Sequence, residues 1–267
     1  MIEAAAAAGK HVFAEKPISL ELEPTVRAIE AAAGAGVKLQ VGFHRRFDPD
    51  WAAAASRIRT GELGEVRFFR GSLRDMRPPS VEYVAGSGGF FVDVTIHDLD
   101  TARWLAGEID EVTAFGAALG DPAYSEVGDV DHAVVAVRFA NGALGVIDNS
   151  RAAGYGYECS AEVMGSAATV RIDRHRRANT EWLSEGRSSF DRVVDFVELF
   201  REAYFLELEE FAAAIREDRS PAVTGEDGLA AFVLAQACAR SMREGRTVRL
   251  RREERGTGVA YELAEAA

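Results

Sequence analysis

Apolar residues in the first forty positions alternate between helical and strand-like spacing. Residues 1–8 (MIEAAAAA) have high helix propensity, and Gly9 is placed to end that helix. Residues 11–14 (HVFA) predict a short buried strand, residues 21–33 a second helix closed by Gly34 and Gly36, and residues 38–43 (KLQVGF) another strand. A helix between two strands predicts that they pair in parallel, as in α/β folds. A chain opening on a helix has no strand beneath that helix, so we expect earlier elements or some other cover for this edge.

The pattern then changes. Residues 50–60 predict an amphipathic helix stopped by Gly61-Glu62-Leu63-Gly64, and residues 65–73 alternate like a strand. A loop rich in Pro78, Pro79, Gly86, Gly88 and Gly89 precedes a helix over 92–105. Strand-like runs follow at 111–118, 132–139, 144–149, 158–164 and 169–172, with Asn141-Gly142 as a hairpin signal between two of them. Two helices, 203–216 and 225–244, and a short strand at 247–250 complete the region. An α+β domain on a largely antiparallel sheet is expected, followed by a flexible Arg/Glu-rich tail over 251–267. Residues 132–139 carry apolar side chains on both faces, which fits a sheet covered on both sides, with a second copy of the chain as a common cover.

Composition narrows the function classes. The 267 residues are 48% hydrophobic, enough for a sizeable core, and 31 Lys plus Arg against 43 Asp plus Glu leave a net charge of −12. That balance argues against nucleic-acid binding and against docking on anionic membranes, while a local pocket can still oppose the global sign. Cys159 and Cys238 form no paired motif, no apolar run reaches membrane-spanning length, and the first residues lack an export signal. We therefore expect a soluble, cytoplasmic protein.

Candidate chemistry concentrates in two places. In Asp93-Val94-Thr95-Ile96-His97, helical spacing puts the carboxylate and the imidazole on one face, an arrangement suited to acid–base catalysis; the same residues also fit a helix cap and a core histidine. Asp98 and Asp100 add possible metal ligands, but adjacent helical residues rarely converge on one ion, so no metal is expected. Glu15-Lys16-Pro17 follows a strand, where open α/β sheets bind ligands; a surface lysine beside a proline is equally common. His44-Arg45-Arg46 suits an oxygen-rich substrate or a local ion-pair cluster. Asn149, Arg151, Tyr155 and Tyr157 suit a ligand-facing strand end, or a core or subunit contact. No strand–GxGxxG–helix fingerprint of a dinucleotide fold occurs in the chain.

Six ordered motifs carry a resemblance. They are FAEKP (13–17), VGFHRRFD (41–48), GGFFVDVTIHDLD (88–100), GDVD (128–131), NGALG (141–145) and IDNSR (147–151). Over residues 1–250 the chain resembles the Gfo/Idh/MocA oxidoreductase family, and within it the inositol 2-dehydrogenase group. The resemblance implies α/β plus α+β architecture: a truncated Rossmann-like remnant (1–43), then a substrate-binding and oligomerisation domain (44–250) with a large, mainly antiparallel sheet. It implies NAD(P)-dependent oxidation of a secondary alcohol of a polyol or sugar, and a homodimer or homotetramer assembled through that sheet. Lys16, Asp93 and His97 match the family's catalytic positions, with His97 taking the hydroxyl proton and Asp93 holding its tautomer. Arg45, Tyr155 and Tyr157 match its polyol-binding regions, and Glu15, Lys16 and Pro17 its cofactor edge. His44 stands where some relatives carry Asn or Met, which leaves the polyol's identity open. Relative to the family, roughly 70–80 residues with the phosphate-binding glycines are missing, so weak or no binding of NAD or NADP is expected. The alternative is a truncated, catalytically impaired homologue acting as a binding or assembly module.

Overall fold

The N-terminal alternation is realised as α1 (Ile2–Ala7), β1 (Val12–Glu15), α2 (Leu22–Gly34) and β2 (Leu39–Gly42), in a computed structural model that describes residues 1–173, 175–255 and 258–265. β1 and β2 pair in parallel, with Val12 opposite Leu39 and Glu15 opposite Gly42, as the intervening helix predicts. A 3-10 turn over His44–Phe47 leads into α3 (Pro49–Arg59). Asp48 caps that helix by accepting from the main-chain nitrogens of Asp50 and Trp51, and Pro49 occupies the first helical position.

β3 (Val66–Arg74), α4 (Val81–Gly86), a π-helical turn over Phe91–Thr95 and α5 (Ile96–Ala106) come next. They are followed by β4 (Ile109–Ala117), α6 (Ala123–Glu126), β5 (His132–Phe139), β6 (Leu144–Ser150), β7 (Glu158–Gly165) and β8 (Thr169–Asp173). The short pair β9 (Trp182–Ser184) and β10 (Arg187–Ser189) projects into solvent. The remaining elements are α7 (Phe196–Leu199), α8 (Arg201–Arg216), α9 (Gly225–Glu244), β11 (Val248–Arg255) and β12 (Gly258–Glu265).

Eight strands form one sheet in the order β12-β11-β4-β5-β6-β3-β7-β8. Its β3–β6 pair is parallel and its other pairs are antiparallel. The sheet is thus mixed, where a mainly antiparallel one was expected. Hairpins set the direction only of strands that are neighbours in sequence. Helices and two further strands separate β3 from β6, so nothing local dictates how β3 runs.

The expected tail is a second correction. β11 continues to Arg255 and pairs with β12 from Val248 opposite Glu265 to Arg255 opposite Gly258. Tyr261 and Leu263 pack against the core, and Arg240 Nη1 donates to the Leu263 carbonyl at 3.0 Å. The charged run Arg251–Glu254 has no apolar period to announce a strand. Residues 256, 257, 266 and 267 lie outside the described residues.

One face of the sheet is covered by α5 and α9. The middle of α9, from Gly228 to Cys238, is apolar and buried except at Gln236, as an internal helix must be. It begins in a capping box between Thr224 and Asp227 and ends at Gly245 in the left-handed region. Its first turn lies so close to the N-terminal segment that a Cβ on Gly225 would stand 2.8 Å from Ile29, and one on Gly228 would stand 3.0 Å from Val41. This contact sets the carboxyl ends of β1 and β2 beside α5. No helix among the described residues is long and apolar enough to cross a membrane.

Candidate active site

A cleft of about 960 Å3 opens where the carboxyl ends of β1 and β2 meet the ends of β3 and β6 and the π-helical turn. Glu15, Lys16, Asp75, Asp93, His97 and Arg151 line its polar part. Lys16 directly follows β1 and precedes Pro17 through a cis peptide. Its ammonium donates to the main-chain oxygen of Asp93 at 2.6 Å and stands 3.4 Å from Asp93 Oδ1. Burial pulls Lys16 below its ordinary value, and the neighbouring Asp93 charge works against that shift.

Asp93 sits in the π-helical turn, a widened stretch of helix that recurs at functional sites. Beyond Lys16 it takes a hydrogen bond from the Tyr83 hydroxyl on Oδ1 at 3.0 Å, and Arg151 Nη1 lies 3.0 Å from Oδ2. Arg151 is buried, with its guanidinium carbon 5.4 Å from the centre of the Phe90 ring. Its position follows from the end of β6, where its main-chain nitrogen donates to the Asp131 carbonyl at 2.8 Å.

His97 also faces the cleft, but no bond to Asp93 holds it. Its Nδ1 is buried without a hydrogen-bond partner among the described residues, so the expectation that Asp93 fixes the His97 tautomer is not met. The widened turn sends the Asp93 carboxylate toward Lys16, Arg151 and Tyr83 instead. Burial, reinforced by the charges of Lys16 and Arg45, holds His97 well below the usual histidine range. The imidazole is therefore neutral near pH 7, ready to accept a proton. His44 packs its ring 5.2 Å from that of His97, against Phe200 and Tyr204, and burial drives it down to about 3.

The other candidates separate. Arg45 lines the cleft, yet its Nη1 is 2.6 Å from Asp98 Oδ1, and Asn149 Nδ2 donates to Asp98 Oδ2 at 2.9 Å. Arg46 turns away to a two-point pair with Asp100 and to Asp227 at 3.0 Å, so the ion-pair reading holds for it. Asp98 and Asp100 are thereby committed to arginines. Tyr157 is buried and lines the cleft. Tyr155 does not: it lies in a separate hollow with Arg74 and Phe115, its hydroxyl donating to Glu158 at 2.5 Å. Residues two apart on a strand would share one side, but these two precede β7 and Gly156 between them has a φ of 140°, so the alternation does not hold there.

Asp75 and Tyr83 are cleft residues that carry no motif signal. Asp75 is held rigidly at the end of β3, its nitrogen donating to the Ser150 carbonyl and its carbonyl accepting from Ala153, both at 2.8 Å. Burial pushes its carboxyl up to about 6, with Arg151 opposing and Asp93 adding to the shift. An acid raised on folding is bound to its proton more tightly in the native state, so its contribution to stability is complete below pH 4 and is lost as pH rises toward 6. Asp75→Asn should remove that fall. Urea unfolding between pH 4 and 7 checks this, and parallel curves for parent and variant would count against the assignment.

Comparison with known proteins places the chain among oxidoreductases. A family model described as "Oxidoreductase family, C-terminal alpha/beta domain" matches residues 55–250, and one described as "Oxidoreductase family, NAD-binding Rossmann fold" matches residues 1–43. The scyllo-inositol 2-dehydrogenase (NAD(+)) of Bacillus subtilis is 41% identical over 97% of this chain and 76% of its own. The myo-inositol 2-dehydrogenase of Thermotoga maritima is 42% identical over 94% of this chain and 75% of its own. A solved myo-inositol dehydrogenase from Corynebacterium glutamicum superposes with a TM-score of 0.89 at 36% identity, covering 94% of this chain and 76% of its own. The scyllo-inositol dehydrogenase of Lactobacillus casei, solved with bound NAD(H) and scyllo-inositol, superposes at 0.86 with 29% identity, over 93% of this chain and 75% of its own. The expectations of a missing Rossmann domain and of weak dinucleotide binding find no support in these matches. The NAD-binding model covers residues 1–43, and the relatives align over more than nine tenths of the chain, with about a quarter of their own length unmatched.

Proposed function

The chain belongs to the Gfo/Idh/MocA oxidoreductase family, and from that premise we propose that it oxidises a secondary alcohol of a polyol such as myo-inositol by hydride transfer to NAD or NADP. The observation that carries the reading is a neutral imidazole and a half-buried ammonium facing one cleft, His97 and Lys16, with Asp93 between them in sequence and bound to the ammonium. The set suits the nicotinamide end of a dinucleotide: Glu15, Lys16 and Pro17 line the cleft at the carboxyl end of a parallel strand, where such ligands sit. When bound, the cofactor supplies the carbon that accepts hydride.

The protein's own groups do the rest. His97 accepts the hydroxyl proton; since Nδ1 is enclosed, Nε2 is the nitrogen for substrate. Lys16 stabilises the alkoxide charge that develops as the proton leaves. Asp93 orients Lys16 and accepts from a second hydroxyl, with Arg151 keeping its carboxylate in place. Tyr157 and Arg45 border the polyol side, Arg45 acting mainly as the buried counter-ion of Asp98. Incubation with myo-inositol, scyllo-inositol and glucose, each with NAD and with NADP, should reduce cofactor with at least one inositol. Failure of every combination would overturn the reading.

We also infer assembly through the open face of the eight-stranded sheet. Phe115, Val134, Leu144 and Met164 are exposed on it. They share that face because Phe115 lies opposite Val134, while Leu144 and Met164 both lie opposite Phe68. Large apolar side chains gathered on one sheet face favour a second copy as cover. Sedimentation at micromolar concentration should give a dimer or larger species, and a clean monomer would contradict it.

A further inference from the structure

Tyr83 reaches into the cleft from an unusual place. It lies on α4, between Pro78-Pro79 and the pair Gly88 and Gly89, whose φ angles are 84° and 91°. The strap is pinned at both ends. Tyr124 donates from its hydroxyl to the Pro79 carbonyl at 2.6 Å, and Leu20 closes on Gly88 so tightly that a Cβ there would stand 2.5 Å from Leu20 Cδ2. Ser80 caps α4 by accepting from the Tyr83 nitrogen at 3.3 Å. Tyr83 is 54% exposed, yet its hydroxyl is directed inward to Asp93 Oδ1.

That oxygen is shared. Tyr83 donates to it at 3.0 Å, whereas the Lys16 ammonium stands 3.4 Å away. Arg151 occupies the other carboxylate oxygen at 3.0 Å, and the short bond of Lys16 goes to the uncharged main-chain oxygen at 2.6 Å. An unhindered ammonium–carboxylate contact closes to about 2.7–2.9 Å. We propose that Tyr83 is a positioning residue for the polyol oxidation: by sharing Asp93 Oδ1 it keeps Lys16 from closing onto the carboxylate and leaves the ammonium directed at the substrate oxygen. An ammonium whose nearest acceptor is a neutral carbonyl keeps more of its charge for a developing alkoxide than one locked in an ion pair. The inference rests on the polyol reading of the cleft, and it concerns a strap residue outside every motif that the sequence displays.

Tyr83→Phe keeps the ring and removes only the shared bond. In the full chain it should lower kcat for the polyol about tenfold while KM stays within about twofold, the split expected when an interaction is made in the transition state. A second measurement needs no turnover. Acetic anhydride labelling, read by mass spectrometry with Lys10 of the same chain as reference, should acetylate Lys16 about threefold more slowly in Tyr83→Phe, because closer pairing with Asp93 favours the protonated amine. Unchanged kcat, a rise in KM alone, or equal or faster labelling of Lys16 would each overturn the proposal. If the parent oxidises no polyol, the polyol reading fails by itself. The labelling then still decides whether Tyr83 governs Lys16: slower labelling supports that control and equal labelling removes it.

Discussion

His97→Ala is expected to lower polyol oxidation by about a hundredfold to ten-thousandfold, the range for losing a positioned general base, while dinucleotide affinity stays within about twofold. The asymmetry follows from where the ring sits. His97 lines the cleft beside Lys16, His44 and Phe43, and its Nδ1 has no hydrogen-bond partner among the described residues that would tie it to the fold. Burial keeps it uncharged, so the resting enzyme holds a free base rather than a spent acid. Steady-state kinetics on the variant, with a separate fluorescence titration of NADH, distinguishes loss of chemistry from loss of binding. Turnover equal to that of the parent would remove His97 from the mechanism. A matching loss in NADH affinity would make it a cofactor residue instead.

The elements that sequence patterning predicts well are those with complete local signals. α9 has the expected bounds because Thr224 and Asp227 form a capping box at one end and Gly245 takes a left-handed conformation at the other. β5 has its expected bounds because its valine-rich run is closed by the Asn141-Gly142 turn. α4 is invisible for the opposite reason: six residues between prolines and glycines carry too few apolar positions to show a period. The π-helical turn is equally hidden, since a fixed helical repeat assumes the register that the turn breaks. That single change redirects Asp93 from its helical neighbour His97 to Lys16, 77 residues away. Arg45 and Arg46 show the limit for charge clusters. Adjacent in sequence, they serve different acids, Asp98 and Asp100, at separations of 53 and 54 residues that no local rule anticipates.

Asp98→Ala is expected to be the most destabilising single change near the cleft, by about 3–5 kcal/mol, because it strands a buried guanidinium. Arg45 and Asp98 are both buried, and they join the turn after β2 to α5 directly beneath His97. Burial works against the Arg45 charge, but Asp98 more than offsets it and leaves the guanidinium more firmly protonated than usual. The Trp51 ring, 5.5 Å from the guanidinium carbon, cannot replace a carboxylate. Without Asp98, Arg45 must either remain charged in an apolar surrounding or pull the turn outward to reach water, and Asn149 Nδ2 loses its acceptor as well. Removing both charges is a different case, since a buried pair repays little more than its own desolvation. Arg45→Met combined with Asp98→Leu should therefore recover much of the loss. Guanidinium unfolding of the parent, the single variant and the double variant tests this directly. A single variant within about 1 kcal/mol of the parent, well under the cost of an unpaired buried charge, would show that Arg45 finds another partner or is hydrated in the native cleft.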